Sequence, residues 1–263
     1  EINYFYDSYG NIIRETDPRR NFINYTYDTE TNTFIYKKLN PLGHKTNYGY
    51  DKGTGNLIYE EKDGLYHNYT YDTFGRVTKE FITPDNSTFP TKRTTYNFDG
   101  ISPENVVIEM KNNDSSYNEV IYFYDGFANP IQIKTKFNPS AHIVHNYLYD
   151  SRFRIIEEQA PTFRVYSKQI NTTSNYFNIR YVYDALDRIT NITKPDNSNL
   201  SMLFNSNKVI TTNELGVKKE YLIDAYGRII SVSEHNRNLM GIDEIYNTSY
   251  YYDAMDNLVR IVD

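Results

Sequence analysis

The chain has 263 residues, a net charge of −6 and a mean hydropathy of −0.70, with 28 Tyr and no Cys. Without Cys there are no disulfides and no thiolate metal sites. Lys and Arg are scattered singly, so the basic patch of a nucleic-acid binder is missing, and no apolar run approaches the roughly 18 residues of a membrane-spanning helix. Aromatic residues reach 16%, too many for a disordered segment. Tyr joins an apolar body to a polar tip and suits walls that are half wet. The composition therefore predicts a sheet with much surface and little deep interior.

Along the chain the first element is Tyr4-Phe5-Tyr6-Asp7-Ser8-Tyr9-Gly10-Asn11-Ile12, followed by a turn signal at Asp17-Pro18. A second copy begins at Tyr25, with Thr31 where Gly10 stood, and leads to Asn40-Pro41-Leu42-Gly43. The copy at Tyr48 carries one extra residue in Lys52-Gly53-Thr54-Gly55 and is followed by Asp63-Gly64. The cleanest copy is Tyr69-Thr70-Tyr71-Asp72-Thr73-Phe74-Gly75-Arg76-Val77, with Pro84-Asp85-Asn86 after it. Copies at Tyr96, Tyr122 and Tyr147 come next. The first expands after Asp99-Gly100, and the other two carry Ala128 and Phe153 in place of the turn Gly. The later copies begin at Tyr181, Tyr221 and Tyr250, separated by Pro195-Asp196-Asn197, Asn213-Glu214-Leu215-Gly216 and longer connections at about 157–178 and 235–246. These connections are expected to be loops or short helical turns. The motif aspartates lie 21 to 40 residues apart, and the interval of 40 leaves room for a decayed copy around Phe204-Asn205.

Each part of the motif has a physical task. In Tyr-x-Tyr both rings point to one face of a strand, as for Tyr4 and Tyr6, Tyr69 and Tyr71, or Tyr181 and Tyr183. The following Asp (Asp7, Asp72, Asp184, Asp224) opens a turn, where its carboxylate can accept backbone N–H groups. Gly10, Gly75 and Gly227, three residues later, fit a position of positive φ. Asp187 and Asp256 occupy that position in two copies, and Asp tolerates it better than most residues. Arg76, Arg188 and Arg228 then lead into an outgoing strand. A repeat of 21 residues in a single strand would reach about 70 Å, so a second turn must lie between tips, and the Pro, Asn and Gly signals supply it. One repeat is thus two strands and two turns. The chain is expected to be all-β, a single domain over 1–263 of about ten visible repeats and one degenerate one, with tyrosines of neighbouring repeats stacked in ladders.

These residues, above all Tyr69 to Val77 and Tyr221 to Ile229, resemble the tyrosine–aspartate (YD) repeats of the rearrangement-hotspot (RHS) family. The family includes shell subunits of insecticidal toxin complexes, bacterial polymorphic toxins and the teneurin adhesion proteins. The resemblance implies a continuous antiparallel spiralling sheet forming part of a hollow β-shell. In bacterial members such a shell encloses a C-terminal toxic domain, and a terminal region with catalytic aspartates cuts the toxin free. No counterpart of that region is identified here. Both ends fall in repeat register, which leads to the expectation that the segment belongs to a longer shell.

Other chemistry is weighed against this reading. Ca²⁺ takes six to eight oxygens, and each tip offers about one carboxylate, so the aspartates are read as turn caps. His142 and His145, three apart on a strand, face opposite sides and are read as wall or surface residues. Glu157-Glu158 and Asp243-Glu244 diverge too strongly for paired glycosidase carboxylates. No phosphate loop, nucleophile elbow or zinc-protease helix is present. No catalytic residue, cofactor or metal is assigned. Sequons at Asn24, Asn68, Asn86, Asn113, Asn171, Asn191 and Asn247 matter only in a eukaryotic secreted protein.

Two functions remain. The first is a structural, non-enzymatic shell segment of a secreted bacterial virulence toxin, whose partners are further repeats and a C-terminal cargo. The second is a cell-surface adhesion or carbohydrate-binding module, with sugars stacked on tyrosines.

Overall fold

The computed structural model describes residues 1–98, 100, 103–113, 116–171, 178–237 and 243–263. It divides into two compact units, 1–126 with 134–139 and 127–133 with 140–263. Among the described residues every regular element is a strand.

The first unit contains β1 (Asn3–Tyr6), β2 (Ile12–Thr16), β3 (Phe22–Tyr27), β4 (Ile35–Leu39), β5 (Lys45–Tyr50), β6 (Leu57–Lys62), β7 (Leu65–Tyr71), β8 (Val77–Ile82), β9 (Lys92–Asn97), β10 (Glu104–Asn113) and β11 (Ser116–Tyr124). Each pairs antiparallel with the next in sequence. β12 (Pro130–Asn138) contributes to both units. The second unit holds β13 (Ala141–Tyr149), β14 (Ile155–Gln159), β15 (Thr162–Val165), β16 (Asn178–Tyr183), β17 (Ile189–Thr193), β18 (Asn199–Asn205), β19 (Lys208–Thr212), β20 (Lys218–Ile223), β21 (Ile229–Arg237), β22 (Asp243–Tyr252) and β23 (Leu258–Val262). Here too the strands form an antiparallel meander, with one detour. β13 pairs with β14 near its C-terminal end and with β15 near its N-terminal end, and β14 continues the ladder to β16.

The turn signals read from the sequence fall where strands reverse: 17–21, 40–44, 63–64, 83–91, 194–198 and 213–217. Both long connections depart from expectation. Within 157–178, residues 157–159 end β14 and 162–165 form β15, while 172–177 lie outside the described residues. Within 235–246, β21 and β22 pair as far as Arg237↔Asp243. No Pro or Gly interrupts Ser231–Arg237 or Asp243–Tyr250, so the ladder runs on where the interval between motifs suggested a loop.

The interior is thin, as the composition foretold. In the first unit Val106, Val107, Ile121 and Phe123 are buried on the long strands β10 and β11. Lys134 is buried with them, its ammonium 5.5 Å from the Phe123 ring centroid, and desolvation pulls its pKa down to about 8. In the second unit Val144 is buried beside Gln132, His142 and Gln159. The Gln132 amide donates to Asn146 Oδ1 (2.6 Å) and to the Asn171 carbonyl (3.0 Å) and accepts from the Asn171 N–H (3.0 Å). Gln159 accepts from Asn146 and donates to Thr162 Oγ1 at 3.1 Å. His142, read as a wall or surface residue, lies fully buried against Tyr166 with ring centroids 4.4 Å apart, and accepts from the Ser167 N–H. This network fastens the 160–171 excursion to the sheet. Most other side chains are only half covered, because long polar stems lie along both faces of the strands.

Candidate functional site

The recurring arrangement is the hairpin tip. At Asp224 the backbone N–H of Gly227 donates to the Asp224 carbonyl (3.1 Å), and the Asp224 N–H donates to the Arg228 carbonyl (2.9 Å). The carboxylate completes the turn: Oδ1 accepts from the N–H groups of Tyr226 (2.9 Å) and Arg228 (3.0 Å). Oδ2 takes both Nε and Nη2 of Arg228 at 2.7 Å. The same set recurs at Asp72 with Arg76 and at Asp184 with Arg188. It recurs again at Asp150 with Arg154. At Asp7 and Asp253 an Asn takes the place of Arg, and its Nδ2 donates to Oδ2.

These contacts stabilise the ionised carboxyl. At Asp150 the Arg154 guanidinium leads in holding it below the ordinary carboxylate range. At Asp72, Asp184 and Asp224 burial pushes upward, but the N–H and guanidinium donors together outweigh it and the net direction is again down.

The residue three after Asp adopts positive φ whatever its identity: Gly10 (88°), Gly75 (76°), Gly227 (84°), Ala128 (66°), Phe153 (62°), Asp187 (64°) and Asp256 (65°). The Asp28 tip differs from the sequence reading. Its left-handed residue is Asn32 (53°) rather than Thr31, because the loop is longer, pairing Tyr27 with Ile35. Thr31 instead donates its N–H and hydroxyl to the Asp28 carboxylate.

Behind the tip eight of these hairpins slip by one residue, while the Asp99 hairpin keeps its register. Tyr71 pairs with Val77 and Thr70 with Lys79, so Thr78 is extra, and seven other hairpins show the same shift. A bulge of this kind interrupts the ladder and increases local twist. The tyrosine before Asp28, Asp72, Asp150, Asp184 and Asp253 uses the interruption. Tyr71 donates its hydroxyl to the Leu57 carbonyl (2.7 Å), Tyr183 to Ile155 (2.7 Å), Tyr27 to Ile12 (3.1 Å), Tyr149 to Pro130 (2.9 Å) and Tyr252 to Ile229 (2.9 Å). Each acceptor opens the outgoing strand of the preceding repeat. In the Asp99 copy Phe98 stands at this position, and Tyr96, two residues earlier, reaches the equivalent Val77 carbonyl (3.2 Å).

The first tyrosine of the motif points to the preceding strand's carboxylates. Tyr181 donates to Glu158 (3.1 Å) and Tyr25 to Glu15 (3.3 Å), whereas Tyr69 stacks on His67 and bonds its Nδ1 (3.1 Å). Tyr221 lies half-buried in β20, and Tyr4 and Tyr6 are exposed on β1.

The Arg four residues after Asp reaches forward as well as back. Arg154 lies over the Tyr183 ring (4.6 Å) and Arg228 over Tyr252 (4.9 Å), each the tyrosine of the next tip. Their Nη1 atoms also pair at 2.6 Å with Asp187 and Asp256, the positive-φ residues of those tips. Asp at that position thus has a partner as well as conformational tolerance. Arg188 lies 4.1 Å over Phe204, which sits at the end of β18 where Asn205–Lys208 closes a shorter tip.

The remaining candidates are dispersed. Glu158 takes the Tyr181 hydroxyl, while Glu157 takes Asn178 and Arg180. Glu244 accepts from Tyr246. His145 bonds Tyr147. Among the described residues no group of three or more His, Asp or Glu could hold a metal ion.

No protein-family model matches the sequence, and no curated protein matches it. Solved structures do. The crystal structure of TcdB2-TccC3-TEV superposes with a TM-score of 0.84 at 12% identity, covering 100% of this chain and 19% of that one. That of TcdB2-TccC3 without hypervariable C-terminal region gives 0.82 at 12% identity with the same coverage. The chain has the all-β fold of a YD-repeat toxin-complex shell. It spans 19% of the length of these toxin-complex chains.

Proposed function

We propose that the chain is a stretch of wall in the hollow YD-repeat shell of a secreted bacterial toxin, and that the shell holds a toxic or unfolded C-terminal cargo away from the producing cell. The action is steric, and this stretch performs no chemistry. The observation that carries the reading is where the motif's polar groups go. Tyr27, Tyr71, Tyr149, Tyr183 and Tyr252 direct their hydroxyls to the preceding repeat, and Arg154 and Arg228 direct their guanidinium groups to the following one. Groups that could grip a ligand are committed to joining hairpins. A wall needs this bonding along its length, and a catalytic cleft would instead gather unlike residues at one place.

The test is protease protection of the full-length protein. Polypeptide C-terminal to the repeats should resist digestion while the repeats are folded, and should become sensitive when denaturant opens them. Cleavage of that region at the rate of the free cargo would refute the proposal.

A further inference from the structure

We propose that Lys79 and Arg93, on neighbouring strands of the first unit, form a binding site for a phosphate group. The site is independent of the steric role of the wall and goes beyond it. Its origin is a change of register. In five hairpins a tyrosine crosses to the preceding repeat, and the residue three before it faces a strand of that repeat. The facing pairs suit one another. Asn24 accepts from Arg14 Nε (2.9 Å), Asn146 from the Gln132 amide (2.6 Å), and Arg180 donates to Glu157 (3.2 Å). Asn68 faces Tyr59, and Ser249 faces Ser231. In the Asp99 copy Tyr96 rather than Phe98 makes the crossing, so β9 is displaced by two residues against β8. Thr95 would otherwise face Lys79. The displacement puts Arg93 there instead, directly opposite Lys79. Like charges so placed repel, and none of the other five pairs brings like charges together.

The nearby carboxylates do not resolve the repulsion. Glu109 lies beyond Arg93 on β10, 3.6 Å from Nε, and itself faces Glu119 on β11. That distance is too long for a hydrogen bond, and Arg93 Nε is buried without a partner. Asp72 is occupied by the N–H groups of Phe74 and Arg76 and by the Arg76 guanidinium at 2.7 Å. Lys79 gives one of its three N–H donors to the Ser87 carbonyl (2.9 Å). The Arg93 guanidinium stacks on the Tyr117 ring at 4.2 Å, which fixes its plane. Lys79, Arg93 and the exposed Thr95 line one cavity of about 310 Å³. Water occupies about 30 Å³ per molecule, so the cavity has room for a phosphate with its hydration. The donor set fits that group. A guanidinium fork takes two phosphate oxygens, an ammonium acts as a point charge, and a hydroxyl can meet a third oxygen.

The experiment titrates the full-length protein into inorganic phosphate at low ionic strength and follows the phosphorus-31 linewidth, with glycerol 3-phosphate in a second arm. Saturable broadening is expected. Arg93→Asn supplies the residue that Asn24 and Asn68 provide at the same place, so the fold is kept while the fork is lost. Arg93→Asn and Lys79→Gln should each weaken binding by about tenfold. Lys37→Gln removes the same charge where the facing residue is Asn47, and should leave binding unchanged. Acetate at equal concentration should not displace phosphate. Saturation by both probes assigns the site to a phosphate ester, and saturation by inorganic phosphate alone assigns it to the free ion. Absence of saturable binding by either probe would overturn the proposal. So would unchanged affinity in Arg93→Asn, an equal loss in Lys37→Gln, or displacement by acetate.

Discussion

The two edges of the meander close with the same turn but do different work. On the return edge Asn213 accepts the N–H groups of Leu215 (3.0 Å) and Val217 (2.9 Å), and Gly216 sits at φ 77°. The Asp224 tip on the motif edge matches this almost bond for bond. What differs lies behind the turn. The return hairpins β2–β3, β4–β5, β17–β18 and β19–β20 keep an unbroken register. Eight motif hairpins carry the bulge, those of Asp28, Asp72, Asp150, Asp184 and Asp253 add the tyrosine hydroxyl to the preceding repeat, and Arg154 and Arg228 add the ion pair to the next. Reversing the chain is therefore a local matter that Asp or Asn settles at either edge, while the tyrosine and arginine links between repeats are gathered on the motif edge.

Acid should separate the Asp-capped motif tips from the Asn-capped returns most strongly, since it acts on all the carboxylates at once. The motif carboxylates have depressed folded-state pKa values, so the stability they confer is present above their unfolded values and is lost as pH falls through the folded ones. Glu220, held by Lys208 and then Lys218, is lowered from 4.5 to about 2 and defines the same window in a strand. Between about pH 4.5 and 2, amide exchange should accelerate first at tips capped by Asp72, Asp150, Asp184 and Asp224. The returns capped by Asn40 and Asn213, which do not titrate, should keep their protection longer. Equal loss at the Asp-capped tips and the Asn-capped returns would contradict the distinction, whereas the return turn capped by Asp17 should follow the motif tips.

Backbone strain should instead treat the edges alike. Gly227 (84°) and Gly216 (77°) occupy the same left-handed position. Gly227→Val and Gly216→Val should each cost about 1–2 kcal/mol, read from the urea midpoint at unchanged slope. A return edge that tolerated Val would mean that its turn is not the one described.

Much of this architecture was legible because its signals are local. Period-2 tyrosines, Asp, and Gly three residues on specify strand and turn without reference to the rest of the chain. What was less legible depends on how one strand sits against another. The extra residue at Thr78 looks like any β-branched strand residue, since a bulge exists only relative to a partner strand. The hydroxyl bonds of Tyr71 and Tyr183 needed the register of the preceding hairpin. Gly49 too has a role that only the pairing shows, since the Tyr59 ring occupies the space that a Cβ would fill. A signal for the arginine link was present: Arg154 precedes Asp187, and Arg228 precedes Asp256, each pair joining a motif Arg to a non-Gly turn residue in the next copy.

The hydroxyl bonds give a smaller effect, confined to one edge. Tyr71→Phe and Tyr183→Phe keep the ring and remove one hydrogen bond each, which should lower stability by about 0.5–1.5 kcal/mol. The double variant should show the sum, because the two repeats share no partners. Tyr36→Phe, at an exposed residue, serves as the reference and should leave the midpoint unchanged.

The smallest effect concerns the residue where the two kinds of interaction meet. Asp256 holds a left-handed conformation at φ 65° and pairs with Arg228 of the preceding tip at 2.6 Å. Asp256→Gly relieves the first constraint and removes the second, and the two work in opposite directions. At low ionic strength the unfolding midpoint should barely move. Salt weakens an exposed ion pair but leaves backbone strain untouched. In high salt the Gly variant should therefore become the more stable of the two, with the crossover following ionic strength rather than the identity of the salt. A variant that stayed less stable at every salt concentration would show that Asp256 contributes through something other than its link to Arg228.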